Sequence, residues 1–148
     1  MLSKKFLPLL RELSDTFRAF EAYSATHIRA MELTPPQFDI IATLGNTAGM
    51  SPKMLSEKTL ITKGTLTGVV DRLIGKGLVS RTASETDGRG LHIQLSKQGE
   101  RLFARIFPEH LAHLQPVFAQ LSYAEIDTLT EKLGILRNAF VLAQNTQE

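Results

Sequence analysis

Thr62-Lys63-Gly64-Thr65-Leu66-Thr67-Gly68-Val69-Val70-Asp71-Arg72-Leu73-Ile74-Gly75-Lys76 is the stretch that decides the fold. Leu66, Val69, Val70, Leu73 and Ile74 recur at i, i+3, i+4, i+7 and i+8, one apolar stripe of a helix that must face a core. At about 100° per residue the opposite face carries Gly64, Gly68, Asp71 and Gly75, flanked by Thr65, Thr67 and Arg72. Each helical glycine costs roughly 0.8–1 kcal/mol relative to alanine. Close approach of this face to another surface is the reading that gives them a use.

Upstream, three helix starts share one grammar. Thr34 precedes Pro35 with Gln37 completing a capping box, and Leu33 can staple Phe38. Ser51 precedes Pro52, with Met50 placed to staple Leu55; Thr62 opens the central helix as its cap, with Ile61 placed to staple Leu66. Gly45 to Gly49 reads as a loop. Only Thr59 to Ile61 separates the second and third of these helices, a helix-turn-helix linker that forces a steep crossing and leaves residues 62–76 projecting. Beyond Gly77 the period changes. Leu91, Ile93 and Leu95 alternate with His92 and Gln94, Leu78 to Ala83 is a partner strand, and Asp87-Gly88 marks the turn between them.

Helix, tight turn, helix and hairpin make a winged helix-turn-helix over residues 34–95, with the recognition helix at 62–76 and the wing at 78–95. An inserted helix fits a major groove about 12 Å wide, and small side chains on its leading face let the backbone approach phosphates and base edges. The net charge of +2 is too small to argue for nucleic acid by itself, but Lys53 to Arg101 holds nine basic and five acidic residues. That local excess suits phosphate neutralisation. The expected DNA contacts are Ser51, Lys53, Thr62, Lys63, Gly64, Thr65, Thr67, Gly68 and Arg72, with Arg89 at the wing tip reaching a minor groove whose negative potential favours guanidinium.

The flanks are helical. Leu2, Phe6, Leu9, Leu13, Phe17 and Phe20 form a narrow seam in a helix over residues 1–31. Ser96 caps a long region to Gln120, which Pro108 and Pro116 are expected to bend or interrupt. Leu121-Ser122-Tyr123-Ala124-Glu125-Ile126 opens a last helix with Ile126, Leu129, Leu133, Leu136 and Phe140 inward. The predicted fold class is therefore mainly α with a small β-hairpin wing, in a single domain of 148 residues. The helices at 1–31 and 96–148 carry more apolar surface than a winged helix can cover, so a homodimer reading two half-sites roughly 34–36 Å apart is expected.

With no cysteine, thiolate metal sites, disulfides and thiol-based sensing are excluded. No apolar run reaches membrane-spanning length and no signal peptide is apparent, so a cytoplasmic protein is expected. No phosphate-cradling loop, nucleophile elbow or carboxylate pair suggests an enzyme, and no cofactor is expected. Glu109, His110 and His113 could share a metal only with a further ligand, and are read as an exposed polar face rather than a metal site.

Order, lengths and motifs together resemble the MarR (multiple antibiotic resistance regulator) family of bacterial transcription factors over nearly the whole chain. The resemblance rests on Leu33-Thr34-Pro35-Pro36-Gln37-Phe38, on Thr67 to Leu73 continuing into Lys76-Gly77-Leu78-Val79-Ser80-Arg81, and on Asp87-Gly88-Arg89 followed by Leu95-Ser96-Lys97-Gln98-Gly99. It implies a homodimer joined through terminal helices, bound to double-stranded DNA at a pseudo-palindromic operator and usually repressing. It also implies that Arg89 is the wing arginine with Asp87 orienting it, and that Asp71 and Arg72 are the acid-base pair of the recognition helix, the acid holding a neighbouring arginine. Gly64 departs from the family pattern, which more often has a polar side chain there. Many relatives release DNA when a phenolic anion binds between the dimer base and the winged domain; Tyr23, His27 and Arg29 are the candidates for such an effector site. The rival readings are a winged-helix protein-interaction module without specific DNA binding and a metal-responsive regulator.

Overall fold

The computed structural model describes residues 4–84 and 90–147. Its elements run α1 (Leu7–Ala30), α2 (Pro35–Leu44), α3 (Pro52–Lys58), α4 (Lys63–Gly75), β1 (Val79–Ala83), β2 (Leu91–Leu95), α5 (Lys97–Phe118) and α6 (Tyr123–Asn145). They divide into two compact units, residues 1–111 and 112–148. None of the helices among the described residues is long and apolar enough to cross a membrane.

The first unit is built around α2 and α4. Ile40, Ile41, Leu55 and Leu73 have no measurable exposure, and Val70, Ile93 and Ile106 pack with them. Local chemistry sets where each helix starts. The Thr34 hydroxyl accepts from the Gln37 N–H while the Thr34 N–H donates to the Gln37 side chain, the reciprocal box expected from the sequence. Ser51 accepts from the Met54 N–H at 3.1 Å, and Ser96 accepts from the Gly99 N–H at 3.0 Å. Leu33, Phe38, Met50, Leu55, Ile61 and Leu66, the residues of the three staples, are all buried.

Helix α4 ends where its sequence says it must. Gly77 adopts φ +74°, the Leu78 N–H donates to the Leu73 carbonyl at 3.0 Å and the Gly77 N–H to the Ile74 carbonyl at 2.9 Å. This is a Schellman termination, and it turns the chain straight into β1. Strands β1 and β2 pair antiparallel with Val79 opposite Leu95 and Ala83 opposite Leu91. Met50 and Ile93 exchange a further pair of backbone hydrogen bonds at 2.9 Å, so the residue before the α3 cap is tied to the wing.

Two sequence expectations need correction here. Helix α5 is continuous from Lys97 to Phe118, so neither Pro108 nor Pro116 interrupts it. Each proline removes one backbone donor, but Ile106 and His110, on either side of Pro108, are buried and hold that turn in place. The second correction concerns α6, in the unit from residue 112 onward. It begins with the expected capping box of Ser122 and Glu125, yet contains no buried residue. Leu129, Leu133 and Phe140, expected to face inward, are 48%, 53% and 55% exposed. Within the second unit they are left uncovered.

Candidate nucleic-acid interface and an adjoining histidine cluster

Every residue of the α4 apolar stripe is at least half-covered: Leu66, Val69, Val70 and Leu73 are buried and Ile74 is partly so. The complementary face is open. Lys63, Gly64, Thr65, Thr67, Gly68, Asp71, Arg72 and Gly75 are all exposed, and among the described residues nothing lies within 4 Å of where a Cβ at Gly64, Gly68 or Gly75 would sit. The glycines therefore serve no packing need among the described residues. Ser51, Lys53 and Thr62 are exposed as well. Thr62 has the extended backbone of an N-cap, but its side chain does not accept a backbone N–H; its hydroxyl meets that of Thr65 at 3.3 Å. The capping bond expected of Thr62 is thus replaced by a link between two hydroxyls on the open face. Asp87 and Arg89 lie outside the described residues.

The recognition helix is braced at several points. Arg81 on β1 donates to Asp71 at 2.8 Å, locking the wing strand to the recognition helix. Asp71 thus holds a neighbouring arginine, as the family resemblance implies, and Arg72 is left for other contacts. Asp39 on α2 accepts the Leu60 N–H at 3.2 Å, fixing the turn that launches α4. Burial holds the Asp39 carboxyl above its ordinary value of 3.8, partly offset by that hydrogen bond. At the other end of α4, Lys76 donates to the Glu32 carbonyl at 3.0 Å and to the Gln37 side chain at 3.4 Å. Sequence gave no sign of the Asp39 brace, since its partner is far along the chain; that of Arg81 was foreshadowed only by the family resemblance.

Of the effector candidates, Tyr23 and Arg29 are exposed and His27 is half-buried. His27 does not act alone. Its Nδ1 lies 3.1 Å from Nδ1 of His110, the two rings stack at 5.3 Å between centroids, and His110 also meets the Phe38 ring at 4.6 Å. His110 is only 5% exposed, which corrects its reading as part of an exposed polar face beside Glu109 and His113. Among the described residues no group of three or more His, Cys, Asp or Glu side chains could hold a metal. Ser24, one turn before His27, is buried, and its hydroxyl has no hydrogen-bond partner among the described residues. A buried polar oxygen without a partner is uncommon and marks this corner, where α1 meets α2, as unusual.

Comparison with known proteins agrees with this architecture. A MarR family model matches residues 32–90, from the link before α2 to the wing. The HTH-type transcriptional regulator MhqR of Bacillus subtilis is 32% identical over 132 residues, covering 89% of this chain and 91% of MhqR. The chain belongs to the MarR family. It is a transcriptional regulator of that family, with the family's winged helix fold. FabT of Streptococcus pneumoniae, solved in complex with DNA, is 22% identical with a TM-score of 0.72, over 92% of this chain and 97% of FabT. NadR, solved in complex with 4-hydroxyphenylacetate, is 24% identical with a TM-score of 0.73, over 84% of this chain and 88% of NadR. Both share the fold.

Proposed function

We propose that this MarR-family regulator is a homodimeric, sequence-specific DNA-binding repressor. The observation that carries the reading is the open face of α4, where glycines that no contact among the described residues requires stand among Thr65, Thr67, Lys63 and Arg72. Ser51, Lys53 and Thr62 contact the phosphate backbone, and Asp87 and Arg89 join them in binding the DNA. Cationic side chains supply affinity and the threonine hydroxyls supply base contacts at the groove floor. FabT, similar in fold, was solved with DNA. A dimer on a pseudo-palindrome occupies the site and so blocks the transcription machinery.

The same reading extends to a small-molecule effector. His27, with His110 and Phe38, forms an aromatic and polar corner suited to a phenolic anion, with the buried Ser24 hydroxyl one turn earlier on α1 and Tyr23 and Arg29 the further candidates on that helix. NadR, similar in fold, was solved with an aromatic carboxylate. Binding there favours a conformation whose half-site spacing no longer matches the operator.

The test is binding to fragments of the DNA upstream of the protein's own gene at two salt concentrations, with random competitor DNA. The expected result is protection of an inverted repeat whose affinity falls steeply with salt. Equal affinity for random DNA, or none at any salt, overturns the reading.

A further inference from the structure

Sharing no residue with the histidine corner, a groove of about 560 Å³ in the first unit is lined by the α1–α2 link, the end of α4, the entry to β1 and the N-terminal half of α5. Its apolar lining is Met31, Leu33, Leu78 and Leu102, with Gln98 an uncharged polar side chain among them. Its charged lining is cationic in balance, Lys76, Arg101 and Arg105 against a single acid, Glu32.

Arg101 and Arg105 are one helical turn apart on α5, the spacing that puts two guanidinium groups side by side. Neither has an ion-pair or hydrogen-bond partner among the described residues. Lys76 is the third cation, its Nζ donating to the Glu32 carbonyl and the Gln37 side chain and keeping one further donor. Glu32 itself adopts φ +62°, the left-handed backbone with which α1 ends.

We infer that this groove is a binding site for a small organic phosphate, with the apolar body of the ligand on Met31, Leu33, Leu78 and Leu102 and its dianionic head on Arg101, Arg105 and Lys76. Three cations lining one groove call for more than one negative charge. Guanidinium forks match phosphate oxygens in pairs, and the ammonium adds a point charge to the third oxygen. A volume within the usual range of small-molecule pockets accommodates a ring-sized body. The histidine corner offers imidazole and phenyl faces and no guanidinium, so the two places select different chemistry.

The test is calorimetric titration of the full chain with phenyl phosphate, with benzyl alcohol and inorganic phosphate as controls. It contains no DNA, so its outcome is separate from that of the regulator reading. Saturable binding of one phenyl phosphate per chain is expected, weakened tenfold or more in Arg101→Gln/Arg105→Gln and abolished in Arg105→Glu. Both arginines are exposed, so the variants keep the fold. The site is overturned if phenyl phosphate shows no saturable binding or binds the variants as tightly as the wild type. It is equally overturned if benzyl alcohol or inorganic phosphate binds as well as phenyl phosphate, because head and body are then not both recognised.

Discussion

At the scale of single residues, Gly68 separates what the fold wants from what the DNA wants. It sits mid-helix, exposed, with open space where a Cβ would stand. Gly68→Ala should therefore raise the stability of the free protein by roughly 0.5–1 kcal/mol, seen as a higher melting temperature. The same methyl group should weaken operator binding in a fluorescence-anisotropy titration, because it stands off the face that must approach the groove. If stability and affinity rise together, the bare face is not the reading face. Asp39 makes the opposite case, a charge tolerated for its hydrogen bond. Burial raises its folded pKa above the unfolded value, so the folded state holds the proton more tightly and stability declines as pH rises through the window between the two. Asp39→Asn keeps an acceptor for the Leu60 N–H without the buried charge. It should match or exceed the wild-type melting temperature at about pH 7, the difference shrinking toward about pH 4. Asp39→Ala, which leaves that N–H without its acceptor, should melt lower at both.

At the scale of elements, legibility in the sequence follows the range of the interaction. Helix starts at Thr34, Ser51 and Ser122 were readable because a cap and its N–H lie three residues apart, and the α4 stripe was readable because one helix carries all of it. The wing strands were readable from period-two alternation. The uninterrupted passage of α5 through Pro108 was not, since burial by distant partners decides it. Gly99 shows the same limit. It was noted only within a family motif, yet a Cβ there would collide with the backbone carbonyl of Leu78 and then press on the Leu95 side chain. A carbonyl beside the Schellman turn cannot step aside as a side-chain tip can. Gly99→Ala should thus push α5 off the β1 entry and lower stability by about 1–3 kcal/mol, the range for overpacking a filled site. Its denaturant midpoint should fall, and the wing strand should lose protection in hydrogen exchange. An unchanged midpoint would mean that α5 and the wing are not held at this contact.

At the scale of the whole molecule, the candidate interface was largely legible and its supports were not: the α4 face follows from periodicity, whereas the His27–His110 pair joins residues 83 apart in sequence. The apolar flanks belong to this scale too. In the first unit α1 leaves Leu9, Phe17 and Phe20 at 56%, 41% and 44% exposure, and in the second α6 leaves Leu133 and Phe140 more than half exposed. Large apolar side chains at this density on long helices are a poor surface for a monomer and an ordinary one for a subunit interface. On the proposed dimer, Phe20→Glu combined with Leu133→Glu places uncompensated charge on both faces, and sedimentation should shift from dimer to monomer. The winged module buries its own core and should keep its fold, so the variant should still bind a single half-site as the wild type does. Affinity for the full inverted repeat should drop by about 10²–10⁴, the advantage of binding the second half-site intramolecularly. A variant that remains dimeric would move the interface elsewhere. One that becomes monomeric yet binds the full repeat undiminished would mean that each copy reads DNA on its own, and the apolar helices would then need a different partner.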